Sequence, residues 1–77
     1  MKVKLRKLDS ISKRLKHLRL VNDMKQYEVA ALFNTTASTI GFYERGVVEP
    51  NVQIIIAYAD YFEVTCDWLL RNKSDKS

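Results

Sequence analysis

Between Lys25 and Gly46 the chain sets out a group of side chains able to make directed polar contacts: Lys25, Gln26, Thr36, Ser38, Thr39 and Arg45. The chemistry they offer is non-covalent. Lysine and arginine carry fixed positive charge, a glutamine amide donates to an anionic oxygen, and hydroxyls donate or accept. No nucleophile–base pair and no phosphate-cradling glycine loop accompanies them, so an enzyme finds no support. His17 is the one histidine and has no Cys or His neighbour at ligand spacing, so no metal role is expected. Cys66 is the one cysteine, which excludes an intrachain disulfide and a multi-cysteine metal site. With no base or cation cluster beside it, Cys66 reads as a small packing residue, and no cofactor is implied.

The elements that must position these side chains follow from spacing. Val29, Ala30 and Phe33 fall at i, i+1 and i+4, on one side of a helix. Ala30 is small and lets a second helix cross close by. Asn34-Thr35-Thr36 interrupts the pattern, and Asn tolerates the left-handed backbone of a sharp bend. Thr36 can accept from the amide of Ser38 or Thr39 and cap a new helix from Ala37 to about Arg45, which Gly46 ends. Ile40 and Tyr43 share its inner face, while Ala37, Ser38, Gly41 and Phe42 turn the other way. Gly41 costs about 0.5–1 kcal/mol of helix stability against Ala and permits close approach of a neighbour. The result is two short helices joined by a tight bend, the second presented outward.

These residues resemble the helix-turn-helix of the lambdoid phage repressors, Cro proteins and the wider XRE-type regulators. The resemblance rests on Gln26, Glu28, Val29, Ala30, Phe33, Thr36, Ser38, Thr39, Ile40, Tyr43, Glu44, Arg45 and Gly46. It begins upstream with Ile11, Arg14, Leu15, Leu18 and Arg19, and continues through Pro50 and Ala59–Phe62 to Val64–Leu70. It implies an all-α, five-helix repressor-like bundle with a central helix-turn-helix. It also implies a transcriptional regulator of double-stranded DNA, most simply a repressor. The DNA-binding set it implies is Lys25, Gln26, Thr36, Ala37, Ser38, Thr39, Phe42 and Arg45. Arg19 and Glu44 are implied to form a partly buried ion pair tying the first helix to the end of the third. Two positions depart from the family: Lys25 stands where Ser or Thr usually caps, leaving that helix start frayed or capped from Asp23, and Val47-Val48-Glu49-Pro50 is apolar and acidic where relatives are often basic.

The reader helix is expected to read bases shallowly. Arginine on guanine and Gln or Asn on adenine are the good direct readers. Ser38 and Thr39 are ambiguous hydroxyls, Ala37 touches at most a thymine methyl, and Phe42 either does the same or packs on protein. Specificity then comes partly from DNA shape.

Seventy-seven residues make one small domain: a basic arm over 1–8, the DNA-binding unit over 9–71 and a polar tail over 72–77. The net charge of +4 is unevenly spread. Residues 1–25 carry nine Lys or Arg and two Asp, whereas residues 26–77 carry four basic and seven acidic side chains. Composition alone leaves a polyanion partner and a solvated basic face both open, and the motif favours nucleic acid. No secretory h-region and no membrane-length apolar run is evident, so a reduced cytoplasm is the expected compartment.

Alternation over Met1–Leu8 favours an extended segment, as a frayed end, a phosphate-tracking arm or an exchanged strand. Asp9 or Ser10 is the expected cap of the first helix, with Ile11, Leu15 and Leu18 as its buried stripe. Asn51 and Thr65 should cap the fourth and fifth helices. Val52, Ile55, Ile56, Ala59 and Phe62 form the fourth helix's stripe, and Leu69 and Leu70 close the core. Leu20, Val21, Val47, Val48, Ile54 and Trp68 look surplus to that core, which predicts a homodimer using the fourth-to-fifth helix region. No small-molecule ligand and no membrane partner is expected. The competing function is a protein-interaction module on the same fold, such as an antitoxin or a regulator's partner, supported by the weak readers and the apolar loop.

Overall fold

Helix α1 (Lys2–Val21) ends where Asn22 and Asp23 stop it: Asp23 takes a left-handed φ of 59° and the Met24 amide returns to the Arg19 carbonyl at 3.1 Å. Four shorter helices follow: α2 (Gln26–Leu32), α3 (Ala37–Arg45), α4 (Val52–Phe62) and α5 (Cys66–Arg71). The computed structural model describes residues 2–71, with side chains over 11–70. Against α1 pack α3 and α5; α2 packs on α3, and α4 on α5. The five-helix, all-α bundle is therefore as expected.

The amino terminus is a correction. An extended segment over Met1–Leu8 and a cap at Asp9 or Ser10 are both replaced by helical backbone from Lys2 onward. A period-two pattern over so few residues is weak beside the helix propensity of Lys, Arg and Leu, which dominate this stretch. The polar tail over 72–77 lies outside the described residues.

Each later helix is started and stopped by side chains suited to the task. The Thr36 hydroxyl accepts from the Thr39 amide at 3.2 Å, Asn51 Oδ1 from the Ile54 amide at 2.9 Å, and Thr65 Oγ1 from the Trp68 amide at 2.9 Å. Asn34 supplies the left-handed bend between α2 and α3 at φ 59°, and Gly46 ends α3 at φ 76°. At α2 the expected frayed or Asp23-capped start is corrected. The Glu28 carboxylate accepts from the Lys25 amide at 2.7 Å, which satisfies a free donor and places negative charge at the helix's positive end.

The core draws on every helix. Ile11, Leu15 and Leu18 of α1 meet Val29 and Ala30 of α2, Ile40 and Tyr43 of α3, Ile55, Tyr58 and Ala59 of α4, and Leu69 of α5. On α4 the stripe centres on Ile55, Tyr58, Ala59 and Phe62, so Val52 and Ile56 stand exposed instead of buried. Val52 opens the helix and lies beyond the packed region, and Ile56 sits a sixth of a turn or more off the stripe. Leu70 is exposed beside buried Leu69, while Ile54 and Trp68, expected as surplus, pack against the core's edge.

Tyr58 is completely buried, edge-on to Phe33 at 4.8 Å and stacked with Phe62 at 5.9 Å. Its hydroxyl has no hydrogen-bond partner among the described residues. Burial, and then the Glu44 carboxylate, push the Tyr58 phenol well above its usual range. Its folded-state pKa thus exceeds the unfolded one. The stability this carries is whole below about pH 10 and drains as pH rises beyond it.

Tyr58→Phe removes an unsatisfied group and keeps the ring. It is expected to raise stability by about 1 kcal/mol in urea unfolding at neutral pH. The gain should widen above about pH 10, where the parent's unfolded tyrosine ionises readily and its buried folded one does not. A destabilised variant would mean that the hydroxyl has a partner.

Candidate nucleic-acid interface

The position of α3 is set by charge buried behind it. Arg19 on α1 and Glu44 on α3 face each other in a forked pair: Arg19 Nε donates to Glu44 Oε2 at 2.7 Å and Nη2 to Oε1 at 2.9 Å. Glu44's side chain is 2% exposed and Arg19's 10%, so the pair is largely out of water. The remaining arm of the guanidinium, Nη1, donates to the Met24 carbonyl at 2.9 Å in the α1–α2 turn. Gln26 Nε2 completes the carboxylate's shell, donating to Glu44 Oε1 at 3.1 Å. One ionic centre therefore joins α1, the turn after it, α2 and α3. The hydrogen bond to Glu44 raises the Arg19 pKa against burial, which lowers it, so the charge is permanent.

With Ile40, Tyr43 and Glu44 turned inward, α3 shows its other edge to solvent. Ser38, Phe42 and Arg45 are exposed, and Ala37 and Thr39 are partly so. Thr36 is exposed, and its hydroxyl lies 3.0 Å from that of Thr39, so the two hydroxyls partly satisfy each other. The Arg45 guanidinium sits 5.3 Å from the centre of the Phe42 ring, a cation–π contact. Phe42 is exposed and also packs on Arg45, a protein contact of the kind that was one of its two alternatives. Lys25 is exposed at the entrance to α2, and Gln26 beside it is half-buried.

The fold thus gathers Gln26, Phe42 and Arg45 around the outer side of α3. Thr36, Ala37, Ser38 and Thr39 lie together at its amino-terminal end. Two features were not foreseen. Gln26 spends one amide hydrogen on Glu44, eighteen residues away, and no local pattern signals a contact of that separation. Gly41, expected to face outward, is buried under neighbouring polar side chains. The loop after α3 presents Val47 and Val48 to solvent, 63% and 42% exposed, where a phosphate clamp would need cations.

The helix-turn-helix family model matches residues 15–69, most of the chain, and the chain belongs to this XRE-type family of DNA-binding regulators. No match is found among the curated proteins, and none among the solved structures. The matched span opens at Leu15 in the α1 stripe and closes at Leu69, so it contains both ends of the Arg19–Glu44 pair. Among the described residues, no helix is long and apolar enough to cross a membrane.

Removing either partner of the buried pair leaves the other charge stranded. Arg19→Ala or Glu44→Ala is therefore expected to cost about 3–5 kcal/mol, a large part of the total for a domain of this size. Chemical denaturation with a double-mutant cycle measures it. Losses that simply add would show that the two side chains act separately.

Proposed function

We propose that the chain is a homodimeric transcriptional repressor that lays α3, beginning at Ala37, in the major groove of double-stranded DNA. One observation carries this reading. The inner face of α3 is locked by an ionic centre, and its outer edge, with Ser38, Phe42 and Arg45, is left bare. A helix held rigidly from behind and open in front suits a groove about 12 Å wide. Arg45 and Lys25 supply charge for phosphates, and Gln26 a neutral donor. Ser38 and Thr39 offer hydroxyls to base edges, and Ala37 and Phe42 offer apolar contact to thymine methyls. This set discriminates bases weakly, so DNA shape supplies part of the specificity.

Exposed Val52, Ile56 and Leu70 support a dimer through the α4–α5 region. Val52 and Ile56 are spaced i, i+4 on one side of α4. A two-fold pairing would present two α3 helices to successive major grooves, roughly 34–36 Å apart. Repression needs only occupancy of a site, which is why it is favoured over activation. The apolar, acidic loop from Val47 to Glu49 supports a second reading, a protein-interaction module whose partner covers that loop.

Binding of the purified chain to genomic and random duplex fragments separates the two. The repressor reading predicts log affinity falling linearly with log salt, with a slope of several units. A weak, flat response favours the protein partner. Within the first reading, Arg45→Ala lowers affinity for all sequences alike. Phe42→Ala shifts the preference among sequences, and an unchanged preference would remove Phe42 from the readers.

A further inference from the structure

Gly41 lies in the interior of α3, where glycine weakens a helix, and it is buried. A Cβ built there would stand 3.2 Å from Arg45 Nη1, 3.6 Å from Gln26 Nε2 and 3.7 Å from Gln26 Oε1. What covers Gly41 is therefore not core. It is the polar ends of two side chains, one from the first residue of α2 and one from the last of α3. Both are held from their other sides as well. Glu44 Oε1 accepts from the Gln26 amide at 3.1 Å, and the Phe42 ring borders the Arg45 guanidinium at 5.3 Å.

We infer that Gly41 is a positioning residue: its bare Cα is the notch that lets Gln26 and Arg45 converge as a two-armed donor site for a single backbone phosphate of DNA. This rests on the DNA-contacting role proposed above for those two side chains. The donor chemistry fits a phosphodiester. Gln26 Nε2 keeps a second hydrogen after serving Glu44, and a guanidinium offers N–H groups in a fixed fork. A phosphate bound by both arms is gripped by α2 and α3 together, which fixes the register of the whole unit on the duplex. A methyl group at position 41 is tighter than ordinary contact with Arg45 Nη1. Since that atom ends a flexible side chain, the guanidinium yields and the helix does not. The site is spoiled while the fold is kept.

Gly41→Ala makes the inference separable from fold stability, because alanine favours the helix while obstructing the notch. Salt-dependent binding to duplex DNA is measured for the parent chain, Gly41→Ala, Arg45→Ala and the double variant, with thermal unfolding of each. Gly41→Ala is expected to melt no lower than the parent. It is also expected to bind about tenfold more weakly, the loss of roughly one charge-assisted contact, with a salt slope shallower by about one. In the Arg45→Ala background the same change should cost nothing further. Parent-like affinity and slope for Gly41→Ala overturn the inference while leaving DNA binding standing. So does a loss that tracks a fall in melting temperature, or one that persists undiminished without Arg45. A parent chain with no salt-dependent binding removes the DNA-contact reading, and the inference with it.

Discussion

The buried pair between Arg19 and Glu44 is the constraint to which the rest of the molecule answers. Moving a carboxylate out of water is unfavourable unless its oxygens are met by donors of opposite charge and good geometry. Here Glu44 receives two N–H groups of Arg19 and one of Gln26. Arg19 in turn reaches the Met24 carbonyl in the α1–α2 turn. Satisfying one charge therefore specifies the relation of three helices and a turn. Apolar packing alone tolerates small slides, whereas a forked ion pair does not. The outward presentation of α3 is a consequence of this geometry, since the helix cannot rotate without breaking it.

Charge is otherwise laid out unevenly, and this bears on how the surface works. The basic excess belongs to residues 1–25, while the remainder is slightly acidic. Beyond α3 the loop offers valines and a glutamate instead of cations. Arg45 is thus the cation at the carboxyl end of α3, and it is braced by Phe42 on one side and lodged over Gly41 on another.

Much of the architecture was legible because it is written in local chemistry. Thr36, Gly46, Asn51 and Thr65 mark helix ends by hydrogen bonds or left-handed backbone within a few residues, and all four do so in the structure. Asn34 turns the chain as its tolerance for positive φ implies. What stayed hidden depends on tertiary geometry. Which of Ile55, Ile56 and Tyr58 is buried follows from how α4 is rotated against α5, and all three are apolar enough to fit a stripe. The helical start at Lys2 was masked by a short alternation that propensity overrides. Gln26 as a ligand of Glu44, and Gly41 as the floor beneath Gln26 and Arg45, join α2 to α3 across the bend, so neither leaves a trace in spacing.

The bare edge of α3 is the face proposed to meet DNA. Backbone amide shift mapping of the isotope-labelled chain, titrated with duplex DNA at low salt, tests it most directly. Perturbations should concentrate at Lys25, Gln26, Thr36–Thr39, Phe42 and Arg45, and leave the Val52–Ile56 side of α4 quiet. Perturbations centred on Val47, Val48 and Val52, with Ser38 and Arg45 unmoved, would contradict it.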